Sequence, residues 1–350
     1  MSGPVTLRLG RHVSFSAGRR ILWIAPLLVL AVGLSMGVAL GVGTTETRPW
    51  DLFRAIVAPD TELEGTALMI AEFRWPRAAA ALLAGAMMAA SGYLLQVVAR
   101  NGLADPGLLG LSDGASVAVL AATYVFAPIP PGAMSWMALA GSVSTALAVV
   151  GLGRKLMGGG GIILVGLAVG IVLGSVVEII LASVGATQFA RIMTWSRGAL
   201  DAVDREDLSL LLTWFAILVP LALAGGRLLG PLLMGDDQAR SLGVPTRPAS
   251  VCLILLAAAF AAPVVATCGP IAFVGLMASF IARRLVAHRP MEVLITAMLV
   301  GALIVLWADT LGRTLFTPIQ VSAGIMISVV GVAVFVLAAR SDRVRQSKGH

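Results

Sequence analysis

The chain has 350 residues, of which 58% are hydrophobic and 12% charged, and its mean hydropathy is +0.95. An ordinary soluble domain carries about twice that share of charged residues, so the composition excludes one and indicates an all-α polytopic membrane protein. In such a protein the net charge of +7 does not indicate an acidic partner, so we expect no nucleic-acid partner. The informative property is the side of the membrane on which each Lys and Arg lies.

Apolar runs predict about ten helical spans within a single domain over residues 1–350. The predicted bounds are 21–43, 76–99, 108–127, 134–153, 161–185, 208–230, 248–267, 270–287, 291–310 and 319–339. The first span follows several arginines, as a signal peptide does. It is longer than the apolar part of a signal peptide and lacks a small-residue cleavage site, so we expect an uncleaved span.

The basic residues predict the orientation of these spans. If the N-terminus is cytoplasmic, about two thirds of the Lys and Arg residues fall in inside segments, which predicts cytoplasmic N- and C-termini. The longest connections, 44–74 and 186–207, then lie outside and are predicted as short amphipathic helices. No P-loop, metal-ligand motif or hydrolase nucleophile motif occurs, so we expect neither an enzyme nor a metal site.

The second span is the predicted centre of the fold. Its helix, Trp75–Ala99, is followed by a Gly- and Pro-containing segment and then by Ser112, Asp113 and Ser116 in the next apolar run. Broken backbone of this kind cannot face lipid, because an unpaired amide group in hydrocarbon costs several kcal/mol. We therefore expect the rest of the chain to wrap around this segment.

Two spans carry glycines at four-residue spacing. The stripes are Gly33, Gly37 and Gly41 in the first span and Gly166, Gly170 and Gly174 in the fifth. Such stripes let a neighbouring helix approach closely, so they predict tight packing inside the bundle, with a dimer seam as the alternative.

Few ionisable residues fall inside the predicted spans. Asp309 and Arg313 are four residues apart and are predicted to pair across one helical turn. Asp113 lies near the start of the third span. Glu178 is the only acid placed for a proton relay, and a pathway-lining role is an equal alternative for it.

The inside segment 231–247 contains a polar stretch, Asp236–Leu242, that ends at Gly243 and Pro245. This pattern predicts a short helix on the cytoplasmic face. An ordinary solvated loop is the alternative interpretation.

Three motifs follow one another along the chain. The first comprises Arg74, Pro76, Arg77, Ser91, Gly92, Gln96, Asn101, Leu103, Ala104, Pro106, Leu109, Gly110, Ser112, Gly114 and Ala115. The second comprises Gly235, Ala239, Leu242, Gly243 and Val244, and the third is GPIAFVGLMASFIARRL over 269–285. Together they resemble the importer permeases that carry ferric siderophores, haem and cobalamin for ATP-binding-cassette systems.

The chain departs from the pattern of that family in three places. Gly102 replaces a proline, residues 278–280 replace Val-Pro-His, and TPIQVSAG over 317–324 lacks the usual acid. These departures suit one member of a heterodimeric permease pair.

The resemblance implies a multi-pass permease subunit of the bacterial cytoplasmic (inner) membrane, surrounded by membrane lipid. Its implied cargo is a ferric siderophore, with haem or cobalamin as the alternative. The implied partners are a second permease subunit, two ATPase subunits and an extracytoplasmic substrate-binding protein. This chain would hold no cofactor, since ATP and Mg would be bound by the ATPase.

The resemblance also implies roles for particular residues. The ATPase-coupling residues would be Gly235, Asp236, Ala239, Arg240, Leu242, Gly243 and Val244, and we expect Ala239 and Leu242 to face a groove on the ATPase. Arg74, Arg77 and Arg313 would dock the binding protein, with snorkelling to the membrane interface as the alternative. Ser91, Gln96 and Glu178 are our own candidates for the lining of the pathway.

Two rival functions come from other classes. One is a secondary transporter driven by an ion gradient, with Glu178 as its proton site. The other is a structural or sensory membrane subunit, for which no transport defect is expected on mutation.

Overall fold

The computed structural model describes residues 5–9, 13–18, 20–42, 51, 54, 63–126, 129–157, 161–286 and 289–347. Most of these residues are helical. Before the first helix, strands β1 (Val5–Leu9) and β2 (Val13–Ala17) pair antiparallel. The all-α prediction omitted this hairpin.

The helices follow one another through mostly short connections. They are α1 Ile21–Gly41, α2 Gly65–Met69, α3 Trp75–Ala99, α4 Leu111–Phe126, α5 Pro131–Met157, α6 Gly161–Ser183, α7 Ala186–Trp195, α8 Arg205–Met234, α9 Asp236–Ser241, α10 Thr246–Cys268, α11 Val274–Leu285, α12 Pro290–Thr314 and α13 Ala323–Ser347. A π-helical turn, Ile70–Arg74, joins α2 to α3.

In the described part of the chain, seven helical segments are long and apolar enough to cross a membrane. Each predicted span coincides with a helix, but α4 has 16 residues and α11 has 12. The predicted spans 108–127 and 270–287 were too long because residues 108–110 and 269–273 are not helical. At about 1.5 Å per residue, α4 and α11 are shorter than the hydrocarbon core is thick.

Helix α3 lies at the centre of the bundle, as predicted. It packs against α8, α10, α11 and α12. Of its apolar 18-residue stretch 83% is buried, compared with 11% for the corresponding stretches of α1 and α6. Close approach depends on glycine. A Cβ atom added at Gly92 would lie 2.5 Å from the Cα of Gly275, and one added at Gly85 would lie 2.2 Å from the carbonyl oxygen of Gly301.

The two predicted glycine stripes have different outcomes. A Cβ atom added at Gly170 would lie 3.3 Å from the Cα of Gly110, and one added at Gly166 would lie 3.1 Å from the Cα of Leu109. Internal packing is therefore confirmed for Gly166 and Gly170 but not for Gly174, where nothing lies within 4 Å of an added Cβ atom. It is wrong for α1, because nothing lies within 4 Å of a Cβ atom added at Gly33 or Gly37.

The two ends of the bundle differ in their polar contacts. At the end that carries α9, called the α9 end, the N–H group of Gly18 donates to Oε1 of Glu292 at 2.6 Å and fastens the chain after the hairpin to the start of α12. At the opposite end, called the arginine end, Arg77 contacts Asp309.

Candidate functional site

Two helices begin deep inside the bundle. The segment before α4 packs against Gly170, which lies about 13 Å along α6 from its first residue. The segment before α11 leads to Gly275, which packs on Gly92 about 10 Å from the end of α3. Irregular backbone at this depth is tolerated only where it is buried in protein or lines a cavity.

A cavity of about 490 Å³ lies where these two segments meet α13. Its polar lining consists of Asp105, Ser112, Asp113, Ser196, Arg197 and Ser328. We call the non-helical residues 101–110 and 269–273 the two broken segments. Apolar side chains of these segments and of α13 complete the wall. An apolar cavity with a few converging polar groups is the usual form of a small-molecule site.

The charges on the cavity wall are of opposite sign. Asp113 is half-buried near the start of α4, and Arg197 is exposed just after α7. The sequence singled out Asp113 as an acid within a span. It gave no sign of Arg197, because that residue lies in a connection whose neighbours in space come from other parts of the chain.

Asp105 joins the two broken segments. Its Oδ1 accepts from the N–H group of Gly107 at 3.0 Å, and the N–H groups of Phe273 and Leu276, at the start of α11, also face the carboxylate. Asp105 is 1% exposed, and these N–H groups stabilise its carboxylate. Sequence reasoning missed this residue, because an Asp-Pro pair indicates only a local turn.

Two of the three predicted pathway residues pack between helices instead of lining the cavity. Ser91 is buried and donates to the carbonyl oxygen of Ala257 at 2.7 Å. Gln96 is buried too, and its Oε1 accepts from Ser279 at 2.7 Å and from Arg283 at 2.8 Å. Both side chains fix α3 to its neighbours.

The third predicted pathway residue, Glu178, is exposed on α6 and lies outside the cavity lining. Ile171 and Ile179 on the same helix are 64% and 67% exposed. A carboxylate facing lipid is costly. This face of α6 therefore requires water or another protein beside Glu178.

The three predicted docking arginines lie together at the arginine end, where Arg74 and Arg77 are both within electrostatic reach of Arg313. Asp309 is 3% exposed and accepts from Nε of Arg77 at 3.0 Å and from its terminal nitrogen at 2.8 Å. The predicted pairing of Asp309 with Arg313 is thus corrected to a pairing with Arg77.

The other two arginines bind the last turn of α1. Arg74 donates to the carbonyl oxygen of Leu40 at 3.0 Å, and Arg313 donates to that of Ala39. The last carbonyl groups of a helix lack partners within the helix, and cations there also favour the helix dipole. Both arginines thereby attach α1 to the rest of the bundle.

We expect Arg77→Met to destabilise the protein by about 3–5 kcal/mol, because it leaves the buried Asp309 carboxylate without its cation. Thermal unfolding in detergent measures the change. Arg205→Met is the matched control, since the Arg205–Glu72 pair is 45% and 40% exposed and such pairs contribute about 1 kcal/mol or less. Equal losses in the two variants would contradict the structural role of Arg77.

The predicted short helix of segment 231–247 is confirmed as α9, Asp236–Ser241. Gly235 and Gly243 flank it with φ angles of 113° and 79°, which favour glycine. Helix α9 rests on the ends of α8 and α10.

The side chains of α9 face two directions. Asp236 and Arg240 are exposed, and Leu242, which follows the helix, is 62% exposed. Ala239 is fully buried, and its carbonyl oxygen accepts from the N–H group of the half-buried Val244 at 2.9 Å. The expectation that Ala239 faces outward is therefore wrong, because its methyl group packs on the bundle.

Known proteins are similar to this chain in both sequence and fold. A family model for the FecCD transport family matches residues 27–341. The chain is 32% identical over 329 residues to the Fe(3+)-citrate import system permease protein YfmE of Bacillus subtilis (strain 168), covering 94% of this chain and 97% of that protein. It is 33% identical over 330 residues to the Achromobactin transport system permease protein CbrC of Dickeya dadantii (strain 3937), covering 94% and 93%.

One solved structure matches at the level of the fold. It is an inward-facing metal-chelate type ABC transporter, with a TM-score of 0.77 and 23% sequence identity over 91% of this chain and 99% of that chain.

Proposed function

Because this chain belongs to the FecCD transport family, we propose that it is the membrane permease subunit of an ATP-binding-cassette importer that takes up a ferric siderophore across the bacterial cytoplasmic membrane. The observation that carries the proposal is the cavity between the two broken segments, inside the bundle. A cavity at this depth suits a site that opens alternately to the two sides of the membrane.

In the proposed topology the ten described helices that coincide with predicted spans form the membrane domain, and the α9 end lies in the cytoplasm. The distribution of basic residues supports this orientation. Helices α4 and α11 start inside the bundle, so they cross only part of the bilayer. Both chain termini then lie in the cytoplasm.

Two ATPase subunits, which bind ATP and Mg, would dock at the α9 end. Helix α9 and the exposed Leu242 supply a projecting contact there. The substrate-binding protein would dock at the arginine end, where three arginines lie together beside one buried carboxylate. Arginine is suited to bind carboxylates of a partner because its planar guanidinium donates two parallel hydrogen bonds.

A second permease subunit would cover the exposed apolar faces of α6 and α13. Val329 lines the cavity and is 71% exposed, so the cavity wall is open on the side where this subunit would lie. The same subunit, or water between the two, would shield Glu178 from lipid. The departures from the family pattern favour a heterodimer.

Uptake by the complete importer in proteoliposomes tests the proposal. We expect ATP-dependent, vanadate-sensitive accumulation of radioactive ferric citrate or of a ferric hydroxamate, but not of haem or cobalamin. Iron chelates are preferred because one relative is named for import of Fe(3+)-citrate. Uptake that continues without ATP and collapses with the proton gradient would overturn the proposal in favour of a secondary transporter.

A further inference from the structure

Arg100 connects the end of α3 to α9. It is the first residue after α3 and adopts a left-handed conformation with φ 49°. Its Nε donates to the carbonyl oxygen of Leu232 at 2.8 Å, and a terminal nitrogen forms an ion pair with Asp236. One planar guanidinium therefore holds the last turn of α8 and the first residue of α9 in a fixed relation to α3.

Beyond Arg100 the chain enters the segment 101–110, which internal hydrogen bonds make rigid. Oδ1 of Asn101 accepts from the N–H group of Leu103 at 2.8 Å. Nε2 of the buried Gln96 donates to the carbonyl oxygen of Ala104 at 3.2 Å. The N–H group of Leu109 donates to the carbonyl oxygen of Asp105 at 3.0 Å.

The far part of the same segment forms one wall of the cavity. Asp105, Gly107 and Leu108 all line it, and the Asp105 carboxylate also faces the N–H groups at the start of α11. Ala272 and Phe273, just before α11, line the cavity as well. A displacement of Arg100 would thus be carried to both broken segments through continuous hydrogen-bonded contacts.

We propose that Arg100 is a positioning residue that couples movement of α9 to the shape of the cavity. The inference rests on the proposed function, in which α9 contacts the ATPase. The pair with Asp236 is unsuited to a role in stability, because its two side chains are 38% and 54% exposed and exposed pairs contribute little. Its position between α9 and the segment 101–110 explains it better.

A cysteine in the cavity wall reports the coupling without any transported ligand. In the assembled importer with its ATPase, Cys252 and Cys268 are replaced by alanine and Ser328→Cys supplies the reporter. A membrane-impermeant maleimide measures the labelling rate of this cysteine with and without ATP plus vanadate. We expect the nucleotide to change the rate by roughly fivefold or more, a factor typical of coupled sites.

In this background Arg100→Gln is expected to retain the bound ATPase and its hydrolysis but to lose the nucleotide-dependent change in labelling. Arg100→Lys, which keeps the charge but not the fork that reaches two partners, should restore only part of the change. Arg227→Gln is the matched control, since Arg227 is exposed on α8, and should behave as the parent does. Adding Asp236→Asn to Arg100→Gln should cause no further loss, because both substitutions remove the same contact.

Three results would overturn the inference. The first is a normal labelling change in Arg100→Gln, and the second is loss of the ATPase from that variant, which would make Arg100 a binding residue. The third is failure of the proposed function itself, and it is recognisable because the parent would then show neither a bound ATPase nor any response to nucleotide.

Discussion

Leu242→Asp is expected to abolish ATP-driven uptake while leaving the permease folded in the membrane. Leu242 is the large apolar side chain that projects at the end of α9, and it is 62% exposed in the free chain. In a groove of the ATPase it would be desolvated, and a carboxylate there would lack a partner. At about 3 kcal/mol for such burial, the affinity for the ATPase falls roughly hundredfold.

Co-purification of the ATPase, together with uptake in proteoliposomes, measures this effect. Ser241→Asp is the matched control, because Ser241 is the exposed neighbour and receives the same added charge. We expect it to retain the ATPase. Ala239→Asp is unsuitable as a test of docking, since Ala239 is fully buried and an aspartate there would damage the fold. If Leu242→Asp kept both the ATPase and uptake, α9 would not be the coupling element.

Gly92→Ala is expected to prevent most of the protein molecules from folding. The added methyl carbon would lie 2.5 Å from the Cα of Gly275, well inside van der Waals contact, and the obstacle is backbone that cannot rotate away. Helices α3 and α11 would have to separate at the centre of the bundle. Overpacking costs about 1–3 kcal/mol where side chains can adjust, so we expect a loss at or above the top of that range.

The folded yield in detergent and the midpoint of thermal unfolding measure this loss. Gly37→Ala on α1 is the control, because nothing lies within 4 Å of its added methyl group, and we expect it to change neither quantity. Equal yields for the two variants would show that α3 and α11 are not in backbone contact at Gly92.

Local patterns predicted the elements that depend on local chemistry. Apolar runs are sufficient for the long helices, because a spanning helix pairs its own backbone groups. Helix α9 was predictable because Asp236 begins it and Gly243 ends it within eight residues. The late starts of α4 and α11 were not, since residues 108–110 and 269–273 are apolar or are Gly and Pro, and hydropathy does not distinguish a buried loop from a helix.

Contacts between distant residues were beyond these patterns. The four-residue rule joined Asp309 to Arg313, whereas Asp309 binds Arg77, which is 232 residues away. The same limit applies to glycine. Spacing marks Gly37 and Gly170 alike as flat surfaces, but only Gly170 meets another segment of this chain.

The sparse attachment of α1 has a consequence for biosynthesis. In the described structure α1 packs mainly on α12, where Trp307 donates to Ser35 at 3.0 Å and Arg313 reaches the last turn of α1. At about 5–20 residues per second, ribosomes complete α12 roughly 15–60 s after α1. Throughout that interval α1 lacks its main partner, so α1 must remain in lipid and join the bundle among the last.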